Sequence, residues 1–341
     1  MLNKLSNMKK VRVAINGFGR IGRVFTRFLL QSSSDIELVA INDLVDPETL
    51  AYLLKYDSVH GVFPLEVSSG SDFINVNGCR INVYSERNPE NIPWKKNDVD
   101  IVIESTGFFR DTQGAKKHIN AGAKKVIISA PATDSTVKTI VMGVNDTTLD
   151  GSETILSNAS CTTNCAAPMI KLINENFGIK SGYITTTHAY TGDQKIHDAP
   201  HKDLRRARAA AKSIIPTTTG AAKAIGKIFP HMLGKLDGIG IRVPVLNGSL
   251  TDIICVVEKT ATVQKINQLF ENAANGSLSS ILSYTEDPIV SNDIIGNSSS
   301  CIIDANLTKV NANTIRVIGW YDNEAGYSNR IIDLIRKISS F

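Results

Sequence analysis

The chain has 341 residues, 42% of them hydrophobic and 21% charged. That length holds about two domains, and the composition excludes wholesale disorder, collagen-like repeats and low-complexity architecture. The formal net charge is +4, no apolar run approaches the roughly 18 residues that a membrane-spanning helix needs, and Met1 to Lys10 has lysines without the apolar core of a signal peptide.

Val11, Val13 and Ile15 alternate with Arg12 and Ala14, which predicts a strand. Apolar residues at 21, 24, 25, 28 and 29 then recur at helical spacing. Glu37 to Asn42 reads as a second strand, and Asp100 to Glu104 and Lys125 to Ser129 as further buried ones, separated by a helix over Thr112 to Ala121 that Gly122 stops. Strand, helix, strand at this spacing predicts a parallel sheet covered on both faces. The texture changes after about residue 150. Thr154 to Ser157 is a short strand, and Cys161 to Phe177 a helix with Pro168 as a kink and Gly178 as its end. Strand-like runs follow at Tyr183 to Tyr190, Gly238 to Pro244, Leu250 to Glu258 and Thr314 to Trp320, with a helix from Val263 that closes near Gly276. Strands in runs predict an α+β second domain with a mostly antiparallel sheet. Ile331, Leu334, Ile335 and Ile338 form one face of a final helix over Asn329 to Ile338.

Three constellations carry chemistry. Gly17-Phe-Gly19-Arg-Ile-Gly22 follows a strand and opens a helix, and Asp43 lies 21 residues past Gly22 at the end of the second strand. That is a dinucleotide-binding layout: the glycines admit a pyrophosphate, the helix N-terminus offers free N–H groups to it, and the acid accepts from ribose hydroxyls while repelling a 2′-phosphate. Ser157-Asn-Ala-Ser-Cys161-Thr-Thr-Asn-Cys165 runs from a strand end into a helix. The positive end of the helix dipole favours a thiolate on Cys161, and Cys165, one turn further in, reads as a packed core thiol. His188 stands 27 residues after Cys161 on a predicted strand and is the candidate base for it. The other histidines show no metal spacing, so no metal is expected.

Five cysteines in a chain this large do not suggest a disulfide framework and fit a reducing cytoplasm. Between Lys195 and Lys212 six cations face two carboxylates. This cluster suggests a small anionic ligand, and without interleaved aromatics it makes no platform for nucleic acid. Several of its arginines, Arg205 and Arg208 included, are assigned to structure.

INGFGRIGR at 15–23, KYDSVHG at 55–61, SNASCTTNC at 157–165, HAYTGDQ at 188–194, PHKDLRRARAAA at 200–211, IIPTTTGAAKA at 214–224 and WYDNEAGYSN at 320–329 follow one another in the chain. Together they resemble the phosphorylating glyceraldehyde-3-phosphate dehydrogenases of the NAD-dependent, bacterial glycolytic type, over essentially the whole sequence. The resemblance implies a Rossmann-type NAD-binding domain over residues 1–160, with the C-terminal helix 325–341 packing back on it, and a catalytic domain over 161–324. It implies Cys161 as nucleophile and His188 as the histidine that activates it. Ser160 and Thr162 match residues that hold substrate or inorganic phosphate, Thr191 and Arg242 match the site for the substrate's terminal phosphate, and Arg206, Thr219 and Gly220 match groups around the attacking phosphate. Gly17, Gly19, Arg20, Ile21, Asp43, Arg87, Thr106, Ser129 and Asn323 match NAD contacts. A cytoplasmic homotetramer acting on glyceraldehyde 3-phosphate and phosphate, with no membrane and no obligate nucleic acid, is the expectation. The rival within this class is erythrose-4-phosphate dehydrogenase, whose thioester is attacked by water. A cofactor-free cysteine acyl hydrolase is disfavoured by the dinucleotide fingerprint. Ala325, Leu246, Gly248 and Ala199 depart from commoner residues of the family, and Pro200 keeps the NAD-type residue. Met8 is a second candidate initiator.

Overall fold

The structure, a computed structural model, describes residues 10–32 and 35–341; the start-site alternatives Met1 and Met8, and all but the last residue of the segment lacking a signal core, lie outside them. The chain divides into two compact units. One comprises the residues up to Thr139, Thr148–Asn158 and Ile331–Phe341; the other comprises Ile140–Thr147 and Ala159–Arg330.

The first unit contains β1 (Val11–Asn16), α1 (Arg20–Ser32), β2 (Ile36–Asn42), α2 (Pro47–Lys55), the short pair β3 (Tyr56–Asp57) and β4 (Gly61–Val62), β5 (Val67–Ser69), β6 (Phe73–Val76), β7 (Cys79–Tyr84), β8 (Ile101–Glu104), α3 (Thr112–Asn120), β9 (Lys125–Ile128), β10 (Lys138–Thr139) and β11 (Ile155–Ser157). Nine strands form one sheet in the order β10-β11-β9-β8-β1-β2-β7-β6-β5. The seven from β10 to β7 are parallel, and the near-continuous apolar runs of β1, β2, β8 and β9 are what burial on both faces demands. The edge β7-β6-β5 is antiparallel, a departure from the all-parallel expectation. Its signal is local: Asn77 and Gly78, at φ 50° and 84°, make the two-residue turn between β6 and β7. The helix α2 is a second addition. Asp46 accepts the Thr49 N–H at 2.8 Å and Pro47 opens the first turn, so capping rather than a long apolar period specifies it.

The second unit holds α4 (Cys161–Phe177), β12 (Ile179–Ala189), β13 (Ile215–Thr218), α5 (Ala221–Ile228), β14 (Leu236–Val243), β15 (Ser249–Val257), α6 (Val263–Asn275), β16 (Leu282–Thr285), β17 (Cys301–Asp304), β18 (Lys309–Asn311) and β19 (Thr314–Tyr321). The sheet order is β13-β14-β12-β15-β19-β17-β16, with β18 on β19. Most pairs are antiparallel, as expected; β12–β14 and β16–β17 are parallel. The parallel β12–β14 pair sets His188 opposite Arg242. The helix α4 runs as one element through Pro168 and buries Cys165, Ala166, Met169, Ile170 and Ile173 completely. Gly319 permits this close packing: a Cβ there would lie 2.5 Å from Cys301 Sγ and 3.2 Å from Cys165 Sγ. Cys165 is thus a core thiol, with its S–H directed at the Gly319 carbonyl at 3.7 Å. The final helix, α7 (Ala325–Ser339), opens with a buried Ala325 whose N–H is held by Asp322 Oδ1 at 2.8 Å.

Candidate active site

The chain enters α4 through Ala159, a buried non-glycine residue at φ 57°. A left-handed alanine costs of order 1–3 kcal/mol, and here it turns the strand-side chain sharply into the helix. Ser160 is the N-cap, its Oγ accepting the Thr163 N–H at 3.1 Å. Cys161 is therefore the first helical residue, partly exposed, and its own N–H and that of Thr162 bond to Sγ. Its Sγ lies 3.4 Å from His188 Nε2. On the other side of the ring, Nδ1 lies 2.7 Å from Arg242 Nη1 and 2.6 Å from the Ala189 carbonyl, which also accepts from Arg242 Nη1 at 2.9 Å. Beneath the ring, Tyr321 Oη joins Thr162 Oγ1 at 2.9 Å and Thr186 Oγ1 at 2.8 Å, and the tyrosine meets the imidazole edge to face at 6.0 Å.

Burial pushes the Cys161 thiol up, against the opposing pull of the Arg242 charge and the Thr162 N–H. Burial also pushes the His188 imidazole down, and Arg242 pushes it further. The helix-dipole expectation of a ready thiolate is therefore outweighed by desolvation in each group taken alone. Handing the thiol proton to Nε2 creates no net charge in the site, and the helix N-terminus and Arg242 favour the sulfur anion so formed. The Ala189 carbonyl can only accept, so Nδ1–H donates to it at 2.6 Å; in that tautomer Nε2 is the unprotonated nitrogen and faces Sγ.

The other residues singled out in the second unit have the following local surroundings. Arg206 is held by Asp193 Oδ2 at 2.6 Å and Thr217 Oγ1 at 2.9 Å, and its charge is felt at both His188 and Arg242. Arg208 pairs on the surface with Asp198 at 2.9 Å, in keeping with a structural assignment. Thr219 and Gly220 stand at the N-terminus of α5, where Thr219 Oγ1 accepts the Ala221 N–H. Thr191 follows β12, its carbonyl accepting the Gln194 N–H at 2.9 Å. Ser160 Oγ is engaged by Thr163 and Thr162 Oγ1 by Tyr321, so both hydroxyls are bound within the protein. Asn323 Oδ1 accepts from Ser249 Oγ at 2.9 Å, which leaves its amide N–H groups to offer.

In the first unit, Gly17 has φ 93°, and a Cβ on it would meet the Thr106 backbone N at 2.7 Å; around Gly19 nothing lies within 4 Å of such an atom. The loop is thus tight at its first glycine and open at its second, over the N-terminus of α1. Arg20 Nη1 is paired with Asp57 Oδ2 at 2.5 Å. Burial would raise the Asp57 carboxyl, but the Arg20 bond and the N–H groups of His60 and Val59 outweigh it and bring it down to about 2. This gives KYDSVHG a physical role that the sequence alone did not supply. Asp43 accepts the Phe18 N–H at 2.7 Å on Oδ2 and the Val45 N–H at 3.1 Å on Oδ1, while staying partly exposed. Arg87 is exposed, Thr106 follows the end of β8, and the Ser129 N–H binds the Glu104 carbonyl at 2.9 Å.

Residues 11–112 match the glyceraldehyde 3-phosphate dehydrogenase NAD-binding domain, and residues 160–323 match the glyceraldehyde 3-phosphate dehydrogenase C-terminal domain. The chain is 57% identical over 326 residues to glyceraldehyde-3-phosphate dehydrogenase 2 of Streptomyces avermitilis, covering 95% of this chain and 97% of the relative. It is 57% identical to glyceraldehyde-3-phosphate dehydrogenase of Streptomyces coelicolor and 54% to that of Mycobacterium tuberculosis, with the same shares covered. The chain belongs to the glyceraldehyde-3-phosphate dehydrogenase family. As a member of this family it is an NAD-dependent oxidoreductase. The residues fit NAD: the open space at Gly19 above the α1 N-terminus suits a pyrophosphate, and the partly exposed Asp43 carboxylate, oriented by two backbone N–H groups, suits ribose hydroxyls. Among the described residues no helix is long and apolar enough to cross a membrane. For this family member, sequence reasoning missed Tyr321, Ala159 and the docking of Arg242 on His188. The first lay inside a quoted motif without a role, and the other two depend on backbone conformation and strand register.

Proposed function

We propose that this chain oxidises D-glyceraldehyde 3-phosphate to 1,3-bisphosphoglycerate with reduction of NAD, through a hemithioacetal and a thioester on Cys161. The observation that carries the reading is the Cys161–His188–Arg242 relay, with Sγ 3.4 Å from Nε2 and Arg242 on the far nitrogen. Cys161 adds to the aldehyde carbon, forming a C–S bond while its proton passes to His188 Nε2 and on to the carbonyl oxygen. N–H groups at the start of α4 stabilise the oxyanion. NAD, when bound, supplies the hydride acceptor. His188 takes back the hydroxyl proton as the C–O double bond reforms, leaving a thioester on Cys161. Phosphate held near Arg206, Thr219 and Gly220 then attacks the acyl carbon, and the thiolate leaves. The covalent cysteine retains oxidation energy that hydrolysis would dissipate. Ser160, Thr162, Thr191 and Arg242 hold the substrate in this reading, and Asn323 orients the nicotinamide amide. The functional domains are 1–160 with the C-terminal helix, and 161–324. A homotetramer is the proposed assembly, supported by the exposed Ile196, Leu204, Ile214 and Leu233 in the second unit.

The test is NADH formation from glyceraldehyde 3-phosphate with and without inorganic phosphate. Strict dependence on phosphate supports the reading. Equal turnover without phosphate, and faster turnover of erythrose 4-phosphate, would put the water-using rival in its place.

Arg242 also makes a sharper prediction. A charge-assisted bond is worth about 1.5–3 kcal/mol. Arg242→Leu should therefore raise the KM for glyceraldehyde 3-phosphate roughly ten- to hundredfold and change that for unphosphorylated glyceraldehyde far less. Steady-state kinetics on both aldehydes decide it: equal losses would confine Arg242 to His188 and remove it from the phosphate.

A further inference from the structure

Three neighbouring parallel strands of the first unit end on polar residues that no assigned role uses: Asn16 on β1, Asn42 on β2 and Glu104 on β8. All three are buried, Glu104 to 1% exposure, and the register sets Asn16 opposite both Asn42 and Glu104. His118, fully buried on α3, and Trp94 complete the cluster. Trp94 Nε1 can only donate, and it lies 3.0 Å from His118 Nδ1. The imidazole proton is therefore on Nε2, which donates to Glu104 Oε2 at 3.0 Å. Asn16 Nδ2 donates to the same oxygen at 2.6 Å, and the Thr106 N–H (2.8 Å) and hydroxyl donate to Oε1. Asn42 Nδ2 in turn donates to Asn16 Oδ1 at 2.8 Å and to the Glu86 carbonyl at 2.9 Å, while Asn42 Oδ1 accepts the Glu86 N–H at 2.8 Å.

Each end of this chain of bonds reaches a loop that carries a residue read above as an NAD contact, and the inference rests on that reading. Asn16 precedes Gly17, Asn42 precedes Asp43, Glu86 precedes Arg87, and Thr106 is itself bound. Every group contacting the Glu104 carboxylate is a donor, and its two oxygens are saturated without a cation. A buried anion surrounded by fixed donors admits one arrangement of its partners.

We propose that Glu104 and His118 are positioning residues for NAD, whose hydrogen-bond polarity sets the relative placement of the Gly17, Asp43, Arg87 and Thr106 loops. Substituting Glu104→Gln keeps the shape and reverses one acceptor. A Gln amide facing Thr106 opposes a backbone N–H that cannot turn. Facing the other way it opposes Nε2–H, and moving that proton to Nδ1 would set it against Trp94 Nε1–H. Flipping Asn16 transfers the conflict to Asn42. The mismatch is absorbed only by shifting the loops.

Titration calorimetry of NAD into the apo protein should show Glu104→Gln weakening binding roughly ten- to hundredfold, with KM for NAD rising in step and kcat at saturating NAD and the aldehyde KM near wild type. His118→Gln, which still accepts from Trp94 and donates to Glu104, should bind NAD nearly as wild type; His118→Leu, which does neither, should bind more weakly. Unchanged NAD affinity in folded Glu104→Gln, or a lowered melting temperature with unchanged affinity, would reduce the cluster to plain core structure. If Glu104→Gln does not fold, the His118 pair decides: equal NAD affinities for Gln and Leu overturn the proposal. Because the readout is binding, it is independent of whether phosphate or water attacks the thioester.

Discussion

Cys161→Ser is expected to abolish NADH formation, a loss of roughly 10⁴-fold or more, while leaving NAD binding to the first unit intact. The serine would keep the α4 N-terminus and the 3.4 Å approach to His188. It would present an alcohol whose proton the imidazole, held down by burial and by Arg242, cannot remove. Selectivity among the thiols follows from the same environment. Cys165, Cys255 and Cys301 are buried, and burial holds the Cys255 thiol up at about 12 and Cys301 well above its ordinary range. Cys79 is exposed but lies in the first unit with no base assigned to it. Iodoacetamide in limiting amount should therefore label Cys161 first. Peptide mapping that placed the first label on Cys79 or Cys165, or a Ser variant with measurable turnover, would remove Cys161 from the nucleophile's role.

His188→Asn is the second large effect. The amide keeps a polar group beside Sγ but cannot receive a proton at neutral pH. General-base catalysis contributes about a hundred- to ten-thousandfold, and the fall in kcat/KM should lie in that range. The pH dependence has a definite sign. Burial raises the Cys161 thiol; in the wild type the proton goes to Nε2 within the site, whereas in the variant it must leave for solvent. The rise of alkylation rate with pH should accordingly move to higher pH in His188→Asn. An alkylation profile superimposable on wild type, with turnover intact, would leave His188 a packing residue against Tyr321.

Much of this molecule is local in origin and so legible in the chain. The strand of β1, the glycine loop and the distance to Asp43 lie within about thirty residues, and the chemistry of each follows from backbone freedom, a helix N-terminus and one carboxylate. The Ser160 cap and Cys161 at the first helical position are likewise sequence-adjacent, and the observed N-cap geometry follows from Ser-Cys-Thr-Thr. The long apolar periods of α1, α4 and α6 fall where expected because a continuous stripe must be buried. Short elements such as α2 and β6 escaped because a cap and a turn specify them, and eight-residue α5 because no period that short registers.

By itself the sequence determined the two kinds of sheet, and it marked the candidate nucleotide loop, the candidate nucleophile and the candidate base. Only the tertiary structure decided what surrounds them. Arg242 reaches His188 Nδ1 because β12 and β14 pair in parallel with these two residues in register, a relation between positions 54 apart that no spacing rule contains. The Glu104 carboxylate is saturated because the end of a neighbouring strand, one helix and one loop converge on it, and the 88-position separation of Asn16 and Glu104 carries no mark of their 2.6 Å contact. Proton placement and the shift of each buried group depend on desolvation and on neighbours brought in from afar, and those exist only once the chain has folded.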